Sequence, residues 1–502
     1  MSRPSRTSRR LPLRAAAAAL VALATAAVLP LTAAPAAAET DRERIARLAS
    51  ERSATDSLVS SDNISQLSAR PSQVGVSGCF MPTAPLFVTS GIDSVRVWDV
   101  SDPTSPALQG VLPQALFENE AMTCGERRTR DGVRRFVLVG VDLVQASVDQ
   151  LDHVNVGGGE LLVVDVTDPA APTVSARVDG LTSTHTVACV DGAQCRYAYS
   201  AGDTDDFSVF DLRDLDDPVE VDGDRSEPGL QAHRSPTGGH KWNFDAAGIG
   251  THTGWNGASM WSTRKPGRPR LITTTGAAGR GSSSKAEGYN DFILHNSYRP
   301  FAERFRPNAK PRLRNGNILL VTEEDYEQTD CALAGSFQTW WVKRLDGRRN
   351  AIKPLAKVEL ADLGTFPLPQ GAFCSSHWFD FHPSGLVAVG FYGGGTQVLD
   401  VRKPRRIRPW AHAVWGGSEV WDAMWVPVYD RRGVMTDERT NIVYSIDLVR
   451  GLDVYAVDLP GSGSPAPARA SSPSAALPAG VVGGALAGAL VLVPLRRRRA
   501  SA

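Results

Sequence analysis

The chain has 502 residues, and its 54 Lys and Arg are matched by 54 Asp and Glu, so it carries no net formal charge. That balance argues against an electrostatic footprint for nucleic acid over the whole molecule. Six cysteines, an even number, fit a disulfide framework in an exported protein, with free buried thiols as the other reading.

Both ends read as targeting segments. Arg9, Arg10 and Arg14 precede an Ala/Leu/Val run that closes on Ala36, Ala37 and Ala38, so residues 1–38 are expected to be a signal peptide. The stretch SRRLPLR at 8–14 approaches a twin-arginine export motif, but Pro12 stands where that motif prefers Phe, and both export routes stay open. Residues 39–73 are polar, begin with one amphipathic helix, and read as a leader over the domain edge. Residues 461–475 are a Gly/Ser/Pro/Ala linker. Residues 476–495 are apolar and about long enough to span a bilayer, which needs roughly 20 residues. Arg496 to Arg499, in a short basic tail over 496–502, mark the cytoplasmic side. The bulk of the chain is therefore expected at the extracellular face of the cell membrane, held by this single helix. The stretch from Leu477 to Gly480 begins like a sortase signal but lacks its Thr-Gly, and the basic end argues against a GPI signal.

Between these ends one phrase returns. It reads SVRVWDVSDPTSP at 94–106, LLVVDVTDPAAP at 161–172, FSVFDLRDLDDP at 207–218 and TQVLDVRKPRRIRP at 396–409, with worn copies at 258–269 and 453–461. Each copy is a β-branched and aromatic strand that ends in a turn specified by Asp and Pro. Recurrence at roughly 50–60 residues, with little helical pattern, is the signature of a propeller. The expectation is an all-β, seven-bladed β-propeller over 74–460, with blades near 74–113, 117–180, 183–226, 237–276, 292–361, 373–411 and 419–460. Blade five carries a long insertion and no clean Asp-Pro phrase, and 277–291 reads as an exposed loop.

The phrase resembles the LVIVD-repeat family of secreted bacterial β-propellers, on the strength of VWDVSDPTSP, VVDVTDPAAP and VLDVRKP. The resemblance covers most of 74–460. It implies the propeller fold and no single activity. The repeated Asp closes a turn and is not expected to be catalytic.

The segments that open each blade carry the chemistry. They read ENEAMTC (118–124), THTVAC (184–189), GHKWNFD (239–245), LHNSYRP (294–300), SSHWFDF (375–381) and EVWDAMW (419–425). Four offer His at about the same place, His185, His240, His295 and His377, and two offer an acid, Glu120 and Asp422. Innermost strands line the axial channel, so equivalent positions form a ring. Imidazoles with a carboxylate suit a borderline divalent transition metal. Set against that, the histidines fill the channel, bonded to carbonyls and water, or act in a metal-free site.

Acids also end the second strands: Asp93, Asp142, Asp203, Glu323, Glu324, Asp325 and Asp447. If strand direction follows other propellers, they face the same mouth. Glu323, Glu324 and Asp325 are the densest group, a candidate Ca²⁺ site set against a solvated turn. Trp378, Trp410, Trp415, Trp421 and Trp425, with Phe391 and Tyr392, read mainly as blade core, or as a platform for a sugar if exposed. Arg402, Lys403, Arg405, Arg406 and Arg408 read as a solvated edge, or as a surface for acidic envelope polymers. For the disulfides, Cys189 and Cys195 bracket a turn, and Cys79 with Cys124 and Cys331 with Cys374 complete the expected set. No GxSxG, P-loop or HExxH is present, and the Gly runs at 157–159 and 393–395 read as turns. Two functions follow: a metal-dependent oxidase or hydrolase on the propeller axis, or a non-enzymatic surface module for a cell-envelope glycan or protein. The chain is expected to be a monomer that binds no nucleic acid.

Overall fold

The computed structural model describes residues 57–461, apart from 72–74, 93, 114–118, 131, 142–159, 203–204, 277–278, 291, 365, 367 and 370–373. The recurring phrase forms the third strand of its blade. In blade 1, Ser94–Asp99 pairs with Leu86–Ser90 on one side and Ala107–Pro113 on the other. Asp99 Oδ1 then accepts the Ser101 N–H at 2.8 Å, Asp165 Oδ1 that of Thr167 at 2.9 Å, and Asp400 Oδ1 that of Arg402 at 2.9 Å. The repeated Asp is thus a turn-closing acceptor, which is why it recurs with the strand.

Seven antiparallel sheets of this kind are stacked around an axis. Their innermost strands are Ser77–Phe80, Thr123–Thr129, Thr186–Cys189, Lys241–Phe244, Ile293–Tyr298, Phe379–His382 and Val420–Tyr429. The core lies between blades. Val88 and Val97 of blade 1 pack on Val137 and Leu162 of blade 2, all fully buried. Phe87 and Trp98, on the other face of blade 1, pack on Tyr444 and Val454 of blade 7, which completes the circle. Strand residues therefore alternate between two apolar interfaces, and the second and third strands read as continuous apolar runs.

Closure comes from the N-terminal side. Ile64–Arg70 is the outer strand of blade 7, paired with Gly451–Val457, and Leu58–Ser60 adds a fifth strand to blade 6 beside Arg408–Trp415. The expected leader is corrected over these residues: it is integral sheet, because the backbone of Ile64–Arg70 pairs with Gly451–Val457 and supplies the outer strand of blade 7. The 277–291 stretch is also corrected where described, since Ser282, Ser283 and Ala286 are buried against blade 5. Gly393 to Gly395 form the expected turn between Leu386–Gly390 and Thr396–Asp400.

All three disulfides form as paired in the sequence reading: Cys79–Cys124, Cys189–Cys195 and Cys331–Cys374. The signal peptide, residues 39–56 of the leader, the linker beyond 461, the apolar segment 476–495, the basic tail and the Gly run at 157–159 lie outside the described residues. Among the described residues no helix is long and apolar enough to cross a membrane.

Candidate metal centre

The segments that lead into the inner strands are fixed by bonds from blade to blade. Val187 N–H donates to the Ala121 carbonyl at 3.2 Å. Thr186 Oγ1 donates to the His240 carbonyl at 2.6 Å, and Thr253 Oγ1 to the His295 carbonyl at 2.7 Å. His377 Nδ1 lies 2.8 Å from the Trp421 carbonyl. Asn119 clamps the segment before Glu120, its Oδ1 accepting the Gly140 N–H at 2.8 Å. Each candidate ligand thus rides on backbone that the next blade holds, which is the rigid support that a preorganised site needs.

These segments bring five of the expected residues together. Around Glu120, the Nε2 atoms of His295, His185 and His240 stand 3.1, 3.2 and 3.5 Å from Oε2, and that of His377 stands 3.6 Å from Oε1. The histidine rings are consecutive neighbours, with centroids 4.9, 4.0 and 4.0 Å apart from His185 through His240 and His295 to His377. Glu324, at the end of Ile318–Glu324, joins from the second strand of blade 5, with Oε2 3.6 Å from His295 Nε2 and 3.9 Å from His240 Nε2. Glu120, His295 and His377, then Glu120, His185 and His240, then His240, His295 and Glu324 each form a triad with ligand atoms within 4.8 Å of one another. His295 and His377 are fully buried, and the other four are 5–6% exposed.

Electrostatics follow from packing two acids and four imidazoles out of water. Burial alone raises the Glu120 carboxyl, but the charges on His185, His377 and His240 hold it well below its usual range. Burial, helped by the Glu120 charge, raises Glu324 to about 7. Burial, then the neighbouring His295, pushes His240 well down, and burial, then His377, brings His295 to about 3. His377 is raised: burial opposes this, and the Glu120 charge outweighs it.

The donor set fits a divalent transition metal. The donated Nδ1 proton of His377 fixes the tautomer that leaves the Nε2 lone pair bare, the arrangement that second-shell bonds give metal-ligating imidazoles. That buried Nε2 has no hydrogen-bond partner. A buried nitrogen facing Glu120 Oε1 at 3.6 Å and Glu324 Oε1 at 3.9 Å needs positive charge between them, which a proton or a bound cation supplies. Imidazole with carboxylate selects borderline ions such as Zn, Cu, Fe, Mn or Ni.

Other expected site residues lie elsewhere. Asp422 is off the ring, and its main charged neighbour is Lys241. Glu323 is not in a solvated mouth: it is 3% exposed and accepts from Ser336 Oγ at 2.8 Å and Gln338 Nε2 at 3.2 Å. Asp325 is buried too, and its Oδ1 accepts the Glu327 N–H at 3.0 Å. The expected acidic turn is corrected, because the loop to 336 folds over these side chains and protein donors meet them. Asp447 is likewise a buried acceptor for backbone N–H groups. Asp93, Asp142 and Asp203 lie outside the described residues. Trp378, Trp421, Trp425, Phe391 and Tyr392 are buried, and Trp410 and Trp415 half-buried.

Two neighbours belong to the site that the sequence did not assign to it: Tyr392, read there among the late aromatics, and Lys241. Tyr392 donates its hydroxyl to Glu324 in a short hydrogen bond, and its ring lies 4.8 Å from that of His377. It sits at φ 28°, a strained conformation for an aromatic residue and one that clusters at functional sites. Lys241 follows His240 and lies over Trp378, 3.9 Å from the ring centroid, while Trp378 lies 4.1 Å from the His295 ring. A charge beside an aromatic in an inner strand was the available signal.

With this geometry in view, residues 153–180 match the LVIVD repeat, so the third strand of blade 2 and its Asp-Pro turn carry that motif. No curated protein matches the chain. Among solved structures, the β-propeller domain of Myceliophteria thermophila Cps50 (Swd1) aligns with 79% of this chain and 100% of its own, at 12% identity and a TM-score of 0.48. The propeller assignment rests on this chain's own seven sheets and on its repeat.

Proposed function

We propose that this protein is a metal-binding β-propeller whose axial ring, His185, His240, His295 and His377 with Glu120, holds one divalent transition metal for oxidase or hydrolase chemistry. The observation that carries the reading is the convergence of four Nε2 atoms from four successive blades on one buried carboxylate. When bound, the ion supplies Lewis acidity or a redox couple. The residues around it hold and orient: Trp421 fixes His377 through its carbonyl, Tyr392 fixes Glu324, and Trp378 packs against the rings of His295 and His377.

Export and a membrane anchor belong to the same reading, supported by the composition of the two ends. The late aromatics are buried or half-buried, so the surface-module alternative gains no sugar platform from them.

Metal content of the purified full chain, measured by inductively coupled plasma mass spectrometry after loading with each ion in turn, tests the reading. About one Zn, Cu, Fe, Mn or Ni per chain is expected, and loss of it in a His240→Ala/His295→Ala variant that keeps its β-rich circular dichroism. Retention of metal by the variant, or no uptake of any ion by the wild type, overturns it.

A further inference from the structure

Glu324 stands at the ring but outside the five residues that carry the proposed ion. Its Oε2 lies 3.6 Å from His295 Nε2 and 3.9 Å from His240 Nε2, and its Oε1 lies 3.9 Å from His377 Nε2. Two ligands of one ion, each about 2.1 Å from it, stand at most about 4.2 Å apart. All three separations meet that limit, so Glu324 is within coordinating reach of an ion held by these histidines. Glu323, one residue earlier, is held instead by Ser336 and Gln338.

The two oxygens of Glu324 are differently engaged. Oε1 accepts the Tyr392 hydroxyl. Oε2, the oxygen nearer His295 and His240, accepts no hydrogen bond among the described residues. Tyr392 is itself fixed. Its backbone sits at φ 28°, and its carbonyl accepts the N–H groups of Val420 at 3.0 Å and Gly395 at 3.1 Å. Its ring lies between those of His377 and Trp421, at 4.8 and 5.8 Å. Held in this way, the hydroxyl stays in place for Oε1 whatever Oε2 contacts.

Four imidazoles and two carboxylates are six donors, enough to complete an octahedron. A catalytic ion keeps one position open, so one donor has to give way. His240, His295 and His377 are held by bonds to adjoining blades, and Glu120 stands among four Nε2 atoms. Glu324 has a neutral donor, Tyr392, already on its second oxygen. Exchange of its carboxylate for another anion also leaves the charge around the ion unchanged, which avoids an uncompensated charge in a buried site.

We propose that Glu324 is a further ligand of the ring ion through Oε2, and the ligand that yields its place to a small incoming anion while Tyr392 holds the freed carboxylate. The inference rests on the ion assigned to the ring above. In the exchange the bond from Glu324 Oε2 to the ion breaks and a bond from the anion forms, with no transfer of electrons or protons.

The probes are Cu(II) and azide, used on the full chain, with metal content measured by mass spectrometry and the copper followed by electron paramagnetic resonance and visible absorption. Azide is expected to bind the loaded wild type saturably. Glu324→Gln is expected to keep its copper, to change the copper spectrum, and to bind azide at least tenfold more tightly, because the place is already vacant. Glu323→Gln, which removes a neighbouring carboxylate, is expected to leave the spectrum unchanged and the azide affinity within twofold. Tyr392→Phe is expected to keep its copper and to weaken azide at least threefold, because the freed carboxylate then lacks its donor. Should Glu324→Gln fail to fold, Tyr392→Phe reads the same exchange from the other side. Identical spectra in the wild type and Glu324→Gln, equal azide effects in the Glu323 and Glu324 variants, or loss of copper with Glu324 overturns this proposal and leaves the ring reading standing. A wild type that takes up no ion overturns both.

Discussion

Gly140 shows how tightly single residues set the ring. A Cβ there would fall on the Thr184 carbonyl, backbone immediately before His185. Gly140→Ala is expected to cost about 3 kcal/mol, at the top of the overpacking range, and to weaken metal binding by moving His185. Denaturant melts and metal titration check both. Asp447 tests the electrostatics away from the ring. Burial raises its carboxyl from 3.8 to about 7, while Oδ1 accepts three backbone N–H groups and Oδ2 has no partner. Between those values the folded chain keeps a proton that the unfolded chain loses. Its contribution is full below the lower value and is lost as pH rises through the upper one. Asp447→Asn keeps the Oδ1 acceptor and cannot titrate. The variant is expected to melt with a flatter pH profile than the wild type from pH 4 to 8, and to gain roughly 1–2 kcal/mol over it at pH 8. Parallel profiles would contradict the assignment.

At the scale of elements, the Cys331–Cys374 disulfide ties the loop after Ile318–Glu324 to the segment that ends in His377. The two cysteines are 43 residues apart, a loop for which cross-linking stabilises by about 3–4 kcal/mol. Replacing both by Ser is expected to lower the melting temperature and to weaken metal binding at least several-fold, whereas opening the Cys189–Cys195 turn is expected to leave metal binding intact. Comparing metal affinity in the two double variants checks this. The elements themselves were legible because the Asp-Pro phrase couples a strand to its turn, and the four histidines were legible because repetition puts equivalent positions at equivalent places. Glu324 was read as one of three acids in a row. Only the strand's pleat and the bulge at His295, where register shifts between Leu294 and Asn296, turn it to the axis and Glu323 to Ser336. Tyr392 and Lys241 meet the site across blades, and sequence spacing carries no record of such contacts.

For the whole molecule, the circle is closed by strands from the N-terminal side, Ile64–Arg70 on blade 7 and Leu58–Ser60 on blade 6. A chain lacking residues up to 70 leaves Gly451–Val457 as an open edge, so it is expected to melt lower and to associate through that edge. Light scattering and calorimetry against the full chain check this. The polar leader hid these strands because Ser and Gln on an outer strand alternate weakly. Closure matters for the site because a ring drawn from four blades exists only when seven blades meet. The most direct test of the central claim is anomalous diffraction from crystals of the metal-loaded full chain, collected at the absorption edge of the bound ion. One peak on the axis, about 2.0–2.2 Å from the Nε2 atoms, is the predicted result. A peak away from His185, His240, His295 and His377, or none in the loaded crystal, would contradict it.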